Sequence, residues 1–178
     1  CADVGRWIST DPKEQFWDRY AYVGNGYNPI NAVDPDGNEV NFIFITLDGQ
    51  LATDYDIAAV LDPLFTSEDF LEIYRPMENA TDRVFNVIII TDINETSPGE
   101  LGFVNRNDIF SVKNRAGGNA AAYPMGVSGA REPSTVGGTI FHEMFHRYMQ
   151  VFKGCTDWDA HHDIMENKQQ RVEDVYSQ

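Results

Sequence analysis

Two short stretches of mainly apolar residues stand out in the pattern of hydrophobic and polar positions along the chain. Residues 39–46 (EVNFIFIT) and 83–90 (RVFNVIII) are rich in β-branched and aromatic side chains, as buried strands are. Between them, apolar residues recur at helical intervals in residues 54–65 and 67–75. This succession of strand, helices and strand predicts a mixed core of the α+β class, with α/β as the alternative.

The next part of the chain has a less regular pattern. Residues 101–114 carry short apolar pieces on either side of an Asn-Arg-Asn turn, which predicts a hairpin or two short strands of a small mixed sheet. Residues 115–134 contain many Gly, Ala and Pro residues. We therefore expect a long irregular loop there.

Two helices are predicted in the C-terminal part of the chain. The first begins with Ser134 or Thr135 as its N-cap and ends near Gly154. The second covers about residues 158–175. The apolar residues of the first helix recur at helical intervals, and we assign them to the core: Ile140, Met144, Phe145, Tyr148, Met149 and Phe152.

Residues 1–38 differ in composition from everything that follows them. They are rich in Gly, Asn, Pro, Asp and aromatic residues, and turn-forming dipeptides such as Asp-Pro, Asn-Gly and Asp-Gly separate short strand-like pieces. We therefore divide the chain into a short segment, 1–38, and a main domain, 39–178.

Charge and hydrophobicity narrow the possible functions. The 178 residues are 42% hydrophobic, enough to bury a core, and 13 basic against 28 acidic side chains give a net charge of −15. Such a charge repels phosphate backbones and anionic membranes, so we expect neither nucleic acid nor a membrane as a partner. The N-terminal residues lack the regions of a secretory signal peptide, so we expect any export to use another route or a signal that precedes these residues.

A pair of histidines in the first C-terminal helix is a candidate metal site. In residues 142–146 (HEMFH), His142 and His146 are four positions apart, so on a helix both point the same way and can bind one metal ion. Glu143 is rotated by roughly 100° and projects beside that ion, where its carboxylate can act as the base for a bound water molecule. In the simpler alternative, the two histidines only line a core helix.

The sequence offers a third ligand shortly after this helix. All four histidines lie between positions 142 and 162, and a catalytic zinc ion needs three protein ligands and one open position. A turn near Gly154 would let the second helix fold back and bring His161 or His162 to the pair. Adjacent helical residues diverge by roughly 100°, so we expect only one of the two to bind. Carboxylates are available as backup donors at Asp159, Asp163 and Glu166.

The first segment resembles the end of the Rhs (rearrangement hotspot) repeat-associated core domain. The family's three motifs are matched by GRWISTDP at residues 5–12, YAYVGN at 20–25 and NPINAVDPDG at 28–37. The last match follows two extra residues. In this family the core precedes a variable C-terminal toxin domain. The resemblance therefore implies that the rest of the chain is the effector of a polymorphic toxin system.

The region from about 135 to 166 resembles small zincin metallopeptidases, particularly SprT-like and toxin-associated minimal forms. In these, H-E-x-x-H is followed on a neighbouring helix by H-[D/E]-x-M. Residues 142–146 match the first motif and residues 162–165 (HDIM) match the second. The resemblance implies a zincin-like fold in which zinc is bound by His142, His146 and His162.

These observations predict a zinc-dependent peptidase that acts as the effector domain of an Rhs-type toxin and cleaves a protein or peptide substrate. Arg147, Tyr148 and Arg171 are unranked candidates for stabilising the oxyanion. The Rhs resemblance implies an immunity protein and secretion or injection machinery as partners. It also implies that the protein is secreted or injected, and lies in the bacterial cytoplasm before export. The alternatives are a non-catalytic metal-binding module and a nuclease toxin, which the charge of −15 opposes.

Overall fold

The computed structural model describes residues 40–80, 82–104, 107, 109–113, 119–155, 157 and 162–177, together with the backbone of 32–33. Within this part of the chain lie a six-stranded sheet, four α-helices and a short 3-10 helix, Val175–Ser177. The strands are β1 (Ala32–Val33), β2 (Val40–Ile45), β3 (Arg83–Ile90), β4 (Gly102–Phe103), β5 (Phe110–Lys113) and β6 (Asn119–Ser128). The helices are α1 (Ile57–Leu64), α2 (Glu68–Glu78), α3 (Pro133–Phe152) and α4 (His162–Asp174). The prediction of a mixed fold of helices around a mixed sheet is confirmed.

The sheet has the strand order β1-β2-β3-β6-β4, and β5 also pairs with β6. Strands β2, β3 and β6 are parallel to one another, whereas β1, β4 and β5 run antiparallel to their neighbours. Both strands predicted from β-branched and aromatic runs are confirmed, as β2 and β3. Parallel pairing between them is possible because α1 and α2 form the long crossover that such a connection needs.

The prediction of an irregular loop over residues 115–134 is wrong in its central part, where β6 forms an interior strand of the sheet. It pairs with β3 along one edge, from Ala121 to Ser128, and with β4 and β5 along the other. Ala, Gly and Pro are depleted in strands, so the sequence of β6 gives a weak signal. Backbone hydrogen bonds on both edges compensate for this low intrinsic preference.

A gap between β4 and β5 accommodates a proline in this interior strand. β5 pairs with residues 119–122 and β4 with residues 126–127, so within the described chain residues 123–125 pair only with β3. The carbonyl oxygen of Pro124 accepts a hydrogen bond from Nη2 of Arg147, at 3.0 Å. In a strand, the nitrogen and the carbonyl group of one residue point to the same side. The nitrogen of Pro124 therefore points into this gap, where its missing N–H has no partner strand opposite it in the described chain.

Of the two predictions for residues 101–114, the structure has two short strands and not a hairpin. β4 and β5 each pair with β6 and not with one another. Gly126 of β6 makes room for the aromatic ring of Phe103 in β4, since a Cβ atom at residue 126 would overlap that ring. The antiparallel strand β4 is thereby held against the end of β6.

The hydrophobic core lies between the sheet and the helices. In β2, alternate residues from Val40 to Phe44 are buried, and they belong to one cluster with buried residues of α1, α2 and α3. Phe42 stacks against Tyr74 of α2 with ring centroids 6.4 Å apart, and Phe44 contacts Tyr55 at 5.5 Å. The predicted core assignment of the α3 residues is confirmed: Ile140, Met144, Phe145 and Tyr148 are buried, and Met149 and Phe152 are partly buried against the core.

Helix α3 begins earlier than predicted and ends where predicted. Its N-cap is Glu132 and its first residue is Pro133, so Ser134 and Thr135 lie inside the first turn. Proline is favoured there because the N–H it lacks has no partner within a helix. At the other end Gly154 has φ +65°, a conformation that glycine adopts at low cost, and the helix stops.

The position of α4 on α3 depends on two adjacent glycines. A Cβ atom at Gly137 would overlap the ring of Tyr176, and one at Gly138 would overlap the carboxylate of Glu173. The C-terminal part of the chain therefore packs directly on the backbone of α3. Because α4 also carries His162, this close packing sets the distance between that histidine and α3.

Ion pairs hold α4 against α2 as well. Arg171 donates hydrogen bonds of 2.7 and 2.8 Å to the carboxylate of Asp69, and Lys168 pairs with Asp69 at 3.2 Å and with Glu72. The hydrogen bonds from Arg171 and Lys168 lower the pKa of Asp69. Helix α4 is thus fixed along two sides, by α3 and by α2.

We expect Gly137→Ala to destabilise the protein by about 1 to 3 kcal/mol, because the new methyl group displaces the rigid ring of Tyr176. Thermal unfolding of the purified variant measures this loss. Gly138→Ala is the matched comparison and should cost less, since the flexible carboxylate of Glu173 can move. An alanine at 137 that raises stability, as higher helix propensity alone would, would contradict the close packing.

The first predicted segment, 1–38, lies outside the described residues except for β1. The backbone of β1 pairs with β2, with Ala32 opposite Ile43 and Val33 opposite Phe42. Two residues of that segment thus extend the sheet of the main domain. The boundary at residue 38 and the Rhs resemblance stay predictions.

None of the helices in the described part of the chain has both the length and the apolar character needed to cross a membrane.

Candidate metal centre

Helix α3 places two imidazole rings side by side. His142 and His146 are one helical turn apart, and their Nε2 atoms lie 3.1 Å from each other. His146 is buried, whereas His142 is partly exposed. The predicted effect of the four-residue spacing is confirmed, because both rings direct their Nε2 atoms toward one point.

Helix α4 brings a third ring to this point. The centroid of the His162 ring lies 5.7 Å from that of His142 and 5.3 Å from that of His146. One ring nitrogen of each histidine lies within 4.8 Å of the others. These three histidines are close enough to hold a metal ion.

One pair of ligand atoms already has the spacing that a tetrahedral ion requires. With metal–nitrogen bonds of about 2.0 to 2.1 Å, two tetrahedral ligands lie roughly 3.3 Å apart, close to the 3.1 Å between the two Nε2 atoms of α3. The separations of up to 4.8 Å within the group allow closure by small rotations of the rings. Three neutral nitrogen donors also match the ligands that zinc accepts in catalytic sites.

The other donors considered from the sequence are not in this group. Asp163 and Glu166 belong to α4, but their side chains are exposed and neither is among the converging ligands. His161 and Asp159 lie outside the described residues. The choice between the two adjacent histidines thus rests on the position of His162, at the first residue of α4.

A hydrogen-bonded chain from α4 orients one of the rings. Nδ1 of His142 lies 3.0 Å from Oε1 of Gln169, and Nε2 of Gln169 donates to Oε1 of Glu173 at 2.9 Å. With the amide oxygen as acceptor, Nδ1 of His142 carries the proton and Nε2 keeps its lone pair. Gln169 thereby keeps the lone pair of His142 Nε2 on the side that faces His146, where both rings can bind one cation.

We expect Gln169→Leu to weaken zinc binding by about 10- to 100-fold, because the His142 ring loses the acceptor that fixes its orientation. Competition with a chromophoric chelator measures the change. Gln170→Leu is the matched control, since Gln170 bonds to Asp174 on the exposed side of the same helix. Equal zinc affinities for the two variants would contradict an orienting role for Gln169.

Glu143 lies beside the histidines, in a site that leaves its carboxylate buried. Only 6% of the residue is exposed, and the backbone of Gly102 lies against it, since a Cβ atom at residue 102 would come within 2.5 Å of Oε1. Burial raises the pKa of Glu143 to about 8, the charge of Glu100 adds to this effect, and Arg147 opposes it. A carboxyl group with such a pKa can both accept and release a proton near neutral pH.

An open cleft of about 410 Å³ gives access to this carboxylate. One wall is the chain entering β4, the floor is α3 and the opposite wall is α4. Its size lies within the range of ligand-binding pockets. The lining residues are Glu100, Leu101, Gly102, Thr139, His142, Glu143, Glu166 and Gln169.

The three candidates for stabilising an oxyanion are not among these lining residues. Arg147 is fully buried behind α3, where it donates to Gln150 and to the carbonyl of Pro124. Tyr148 is buried in the core, and Arg171 is engaged with Asp69 on the far side of α4. The side chains of Arg147, Tyr148 and Arg171 therefore do not line the cleft, although all three belong to the helices that carry the histidines.

Sequence reasoning missed Gln169 and considered Glu166 only as a backup metal donor, although both line the cleft. A usable signal was present, because Glu166 and Gln169 follow His162 by four and seven residues, the intervals of a single helix face. Glu100 had no such signal, since it lies 43 positions before Glu143 and reaches it only through the pairing of β4 with β6.

The fold and the site together define a mixed α/β protein in which three histidines from two helices can hold a metal ion beside a buried glutamate. Comparison of the chain with protein-family models, with curated proteins and with solved structures gives no match.

Proposed function

We propose that the protein is a zinc-dependent peptidase with a zincin-like catalytic centre. The observation that carries this proposal is the convergence of three histidines, one of which, His142, lines an open cleft together with Glu143. A structural zinc site usually has four protein ligands, whereas three leave one position for water or substrate. This difference favours catalysis over a module in which the metal only links two helices.

In the proposed reaction the side chains have separate roles. His142, His146 and His162 would hold the ion. When bound, zinc supplies a Lewis acid that polarises a carbonyl group and lowers the pKa of water. Glu143 accepts a proton from the attacking water and passes it to the leaving amine. Burial of Glu143 against Gly102 keeps its carboxylate fixed for both transfers.

The biological role that we propose is that of an effector in an Rhs-type polymorphic toxin system. Its support is the set of three motifs between residues 5 and 37, which resemble the end of an Rhs core domain. On this proposal the producing bacterium exports the protein through secretion or injection machinery and protects itself with an immunity protein. The substrate is a protein or peptide of the target cell.

The test is to compare the zinc-loaded protein with the chelator-treated protein on a mixture of unstructured peptides, with the products identified by mass spectrometry. Peptide cleavage that disappears with the chelator and returns with zinc is the expected result. Stoichiometric zinc without any cleavage would instead favour the non-catalytic module. Toxicity on expression in bacterial cells, lost when the histidines are replaced, tests the effector role separately.

A further inference from the structure

The cleft above Glu143 has acidic side chains on both walls. Glu100 lies on the wall formed by the chain entering β4, and Glu166 lies on the wall formed by α4. Among the residues that line the cleft in the described chain there is no lysine or arginine. A bound group therefore meets negative charge from two directions.

Both walls are held in place by contacts outside the cleft. The Glu100 carboxylate accepts a hydrogen bond from Ser97 at 2.7 Å, and the next residue is tied to β6 because the carbonyl of Leu101 accepts from the N–H of Ser128, also at 2.7 Å. On the other side, α4 is fixed by the close packing of Glu173 on Gly138 and by the ion pairs with Asp69. The acidic groups are thus preorganised, which lowers the cost of binding a ligand.

The floor of the cleft gives an independent sign that a ligand belongs there. Glu143 is 6% exposed and lines the cavity, yet within the described residues its carboxylate makes no hydrogen bond. Its oxygens are not among the fully enclosed atoms that lack a hydrogen bond, so they open into the cleft. The carboxylate is therefore suited to a donor that enters through the cleft.

The walls also offer apolar and neutral surface below the two exposed carboxylates. Leu101 and Gly102 line the cleft from the chain entering β4, and Thr139 lines it from α3. Lysine and arginine side chains combine an aliphatic stem with a charged head, so the stem can lie along such a surface while the head stays near the carboxylates. A bare metal ion would not use this apolar part of the cleft.

We propose that the cleft is a specificity subsite for a lysine or arginine side chain adjacent to the bond that is cut, held between Glu100 and Glu166. This inference rests on the proposed peptidase function and names its substrate class. A cationic side chain bound in this position brings the neighbouring peptide bond over Glu143 and the three histidines. Peptides with an acidic residue at the same position are repelled by the same walls.

The test uses internally quenched peptides of one sequence that carry either lysine or norleucine at a single position, which is moved along the peptide. Norleucine keeps the aliphatic stem and lacks the charge. We expect kcat/KM to be about tenfold higher with lysine than with norleucine next to the cut bond. Two partly exposed ion pairs, each raising kcat/KM severalfold, would give such a ratio. Glu100→Gln and Glu166→Gln should each lower this ratio severalfold, and the double variant should abolish it.

Glu132→Gln is the matched control, because it removes the same charge from an exposed side chain that lies outside the cleft and makes no capping hydrogen bond. It should keep the lysine preference. A ratio near one in the parent protein, or a ratio unchanged in the double variant, would overturn the proposal.

A binding measurement separates this proposal from the peptidase proposal. Fluorescence anisotropy of the same two peptides with chelator-treated protein reports affinity without turnover. If no peptide is cleaved but the lysine peptide binds more tightly and loses this advantage in the double variant, the peptidase proposal fails and the cationic subsite stands. If no peptide is cleaved and both peptides bind equally, the cationic subsite fails as well.

Discussion

Replacing Glu143 with glutamine is expected to lower the rate of peptide hydrolysis by about 10²- to 10⁴-fold while zinc binding stays near that of the parent. Glutamine keeps the size of the side chain but cannot accept a proton from water. The proposed metal ligands His142 and His146 remain in place on α3. Steady-state cleavage of a quenched peptide, together with zinc analysis of the same sample, measures both quantities.

Loss of activity in this variant cannot be ascribed to unfolding if its thermal stability is retained. Burial disfavours the charged form of Glu143, so a neutral amide at this position should leave the metal-free protein at least as stable at pH 8. Glu132→Gln, at an exposed site, should keep both activity and zinc. Full activity in Glu143→Gln would mean that another group is the base.

The parts of the fold that were predictable are those in which local pattern and tertiary environment agree. β2 and β3 consist of β-branched and aromatic residues and are buried in the sheet, so their propensity and their position give the same answer. The same holds for α1 and α2, whose apolar residues form a stripe against the core. Each of these elements lies close to its predicted bounds.

The part that was missed is stabilised by residues far away in sequence. β6 carries Ala, Gly and Pro, and its strand conformation depends on pairing with β3 and on the contact between Gly126 and Phe103. Pro124 is tolerated because β4 and β5 leave a gap opposite it, which no local pattern reveals. Tertiary pairing therefore overrides a weak local preference in this strand.

The candidate site also has one part that the local sequence predicts and one part that depends on residues far away in the chain. His142, Glu143 and His146 follow from helical spacing alone. A turn and a second helix leave His161 or His162 as the third ligand, and the zincin resemblance selects His162. The wall that carries Glu100 and Gly102 is placed by strand pairing between β4 and β6, so only the structure brings it to Glu143. The sequence thus indicated the centre that can hold a metal ion, whereas the shape and charge of the cleft required the three-dimensional fold.

Removing the imidazole of His162 is expected to lower zinc affinity by more than about 100-fold. Loss of a residue that only hydrogen-bonds to a metal ligand lowers metal affinity by up to about 100-fold. His162 is itself one of the three converging ligands in the described chain, so its loss should have a larger effect. His162→Ala should therefore lose the thermal stabilisation that zinc gives the parent, about 2.7 kcal/mol when free zinc is 100 times the dissociation constant. Chelator competition and thermal unfolding with and without zinc measure the two effects.

His161→Ala is the decisive comparison, because it removes the same side chain one position earlier and the turn and helix predicted from the sequence allow either histidine. Adjacent residues of a helix point roughly 100° apart, so a single ion is not expected to use both. Zinc retained by His161→Ala and lost by His162→Ala supports the three-histidine centre. The reverse pattern would move the third ligand to position 161, and the orientation of α4 over α3 would have to change with it.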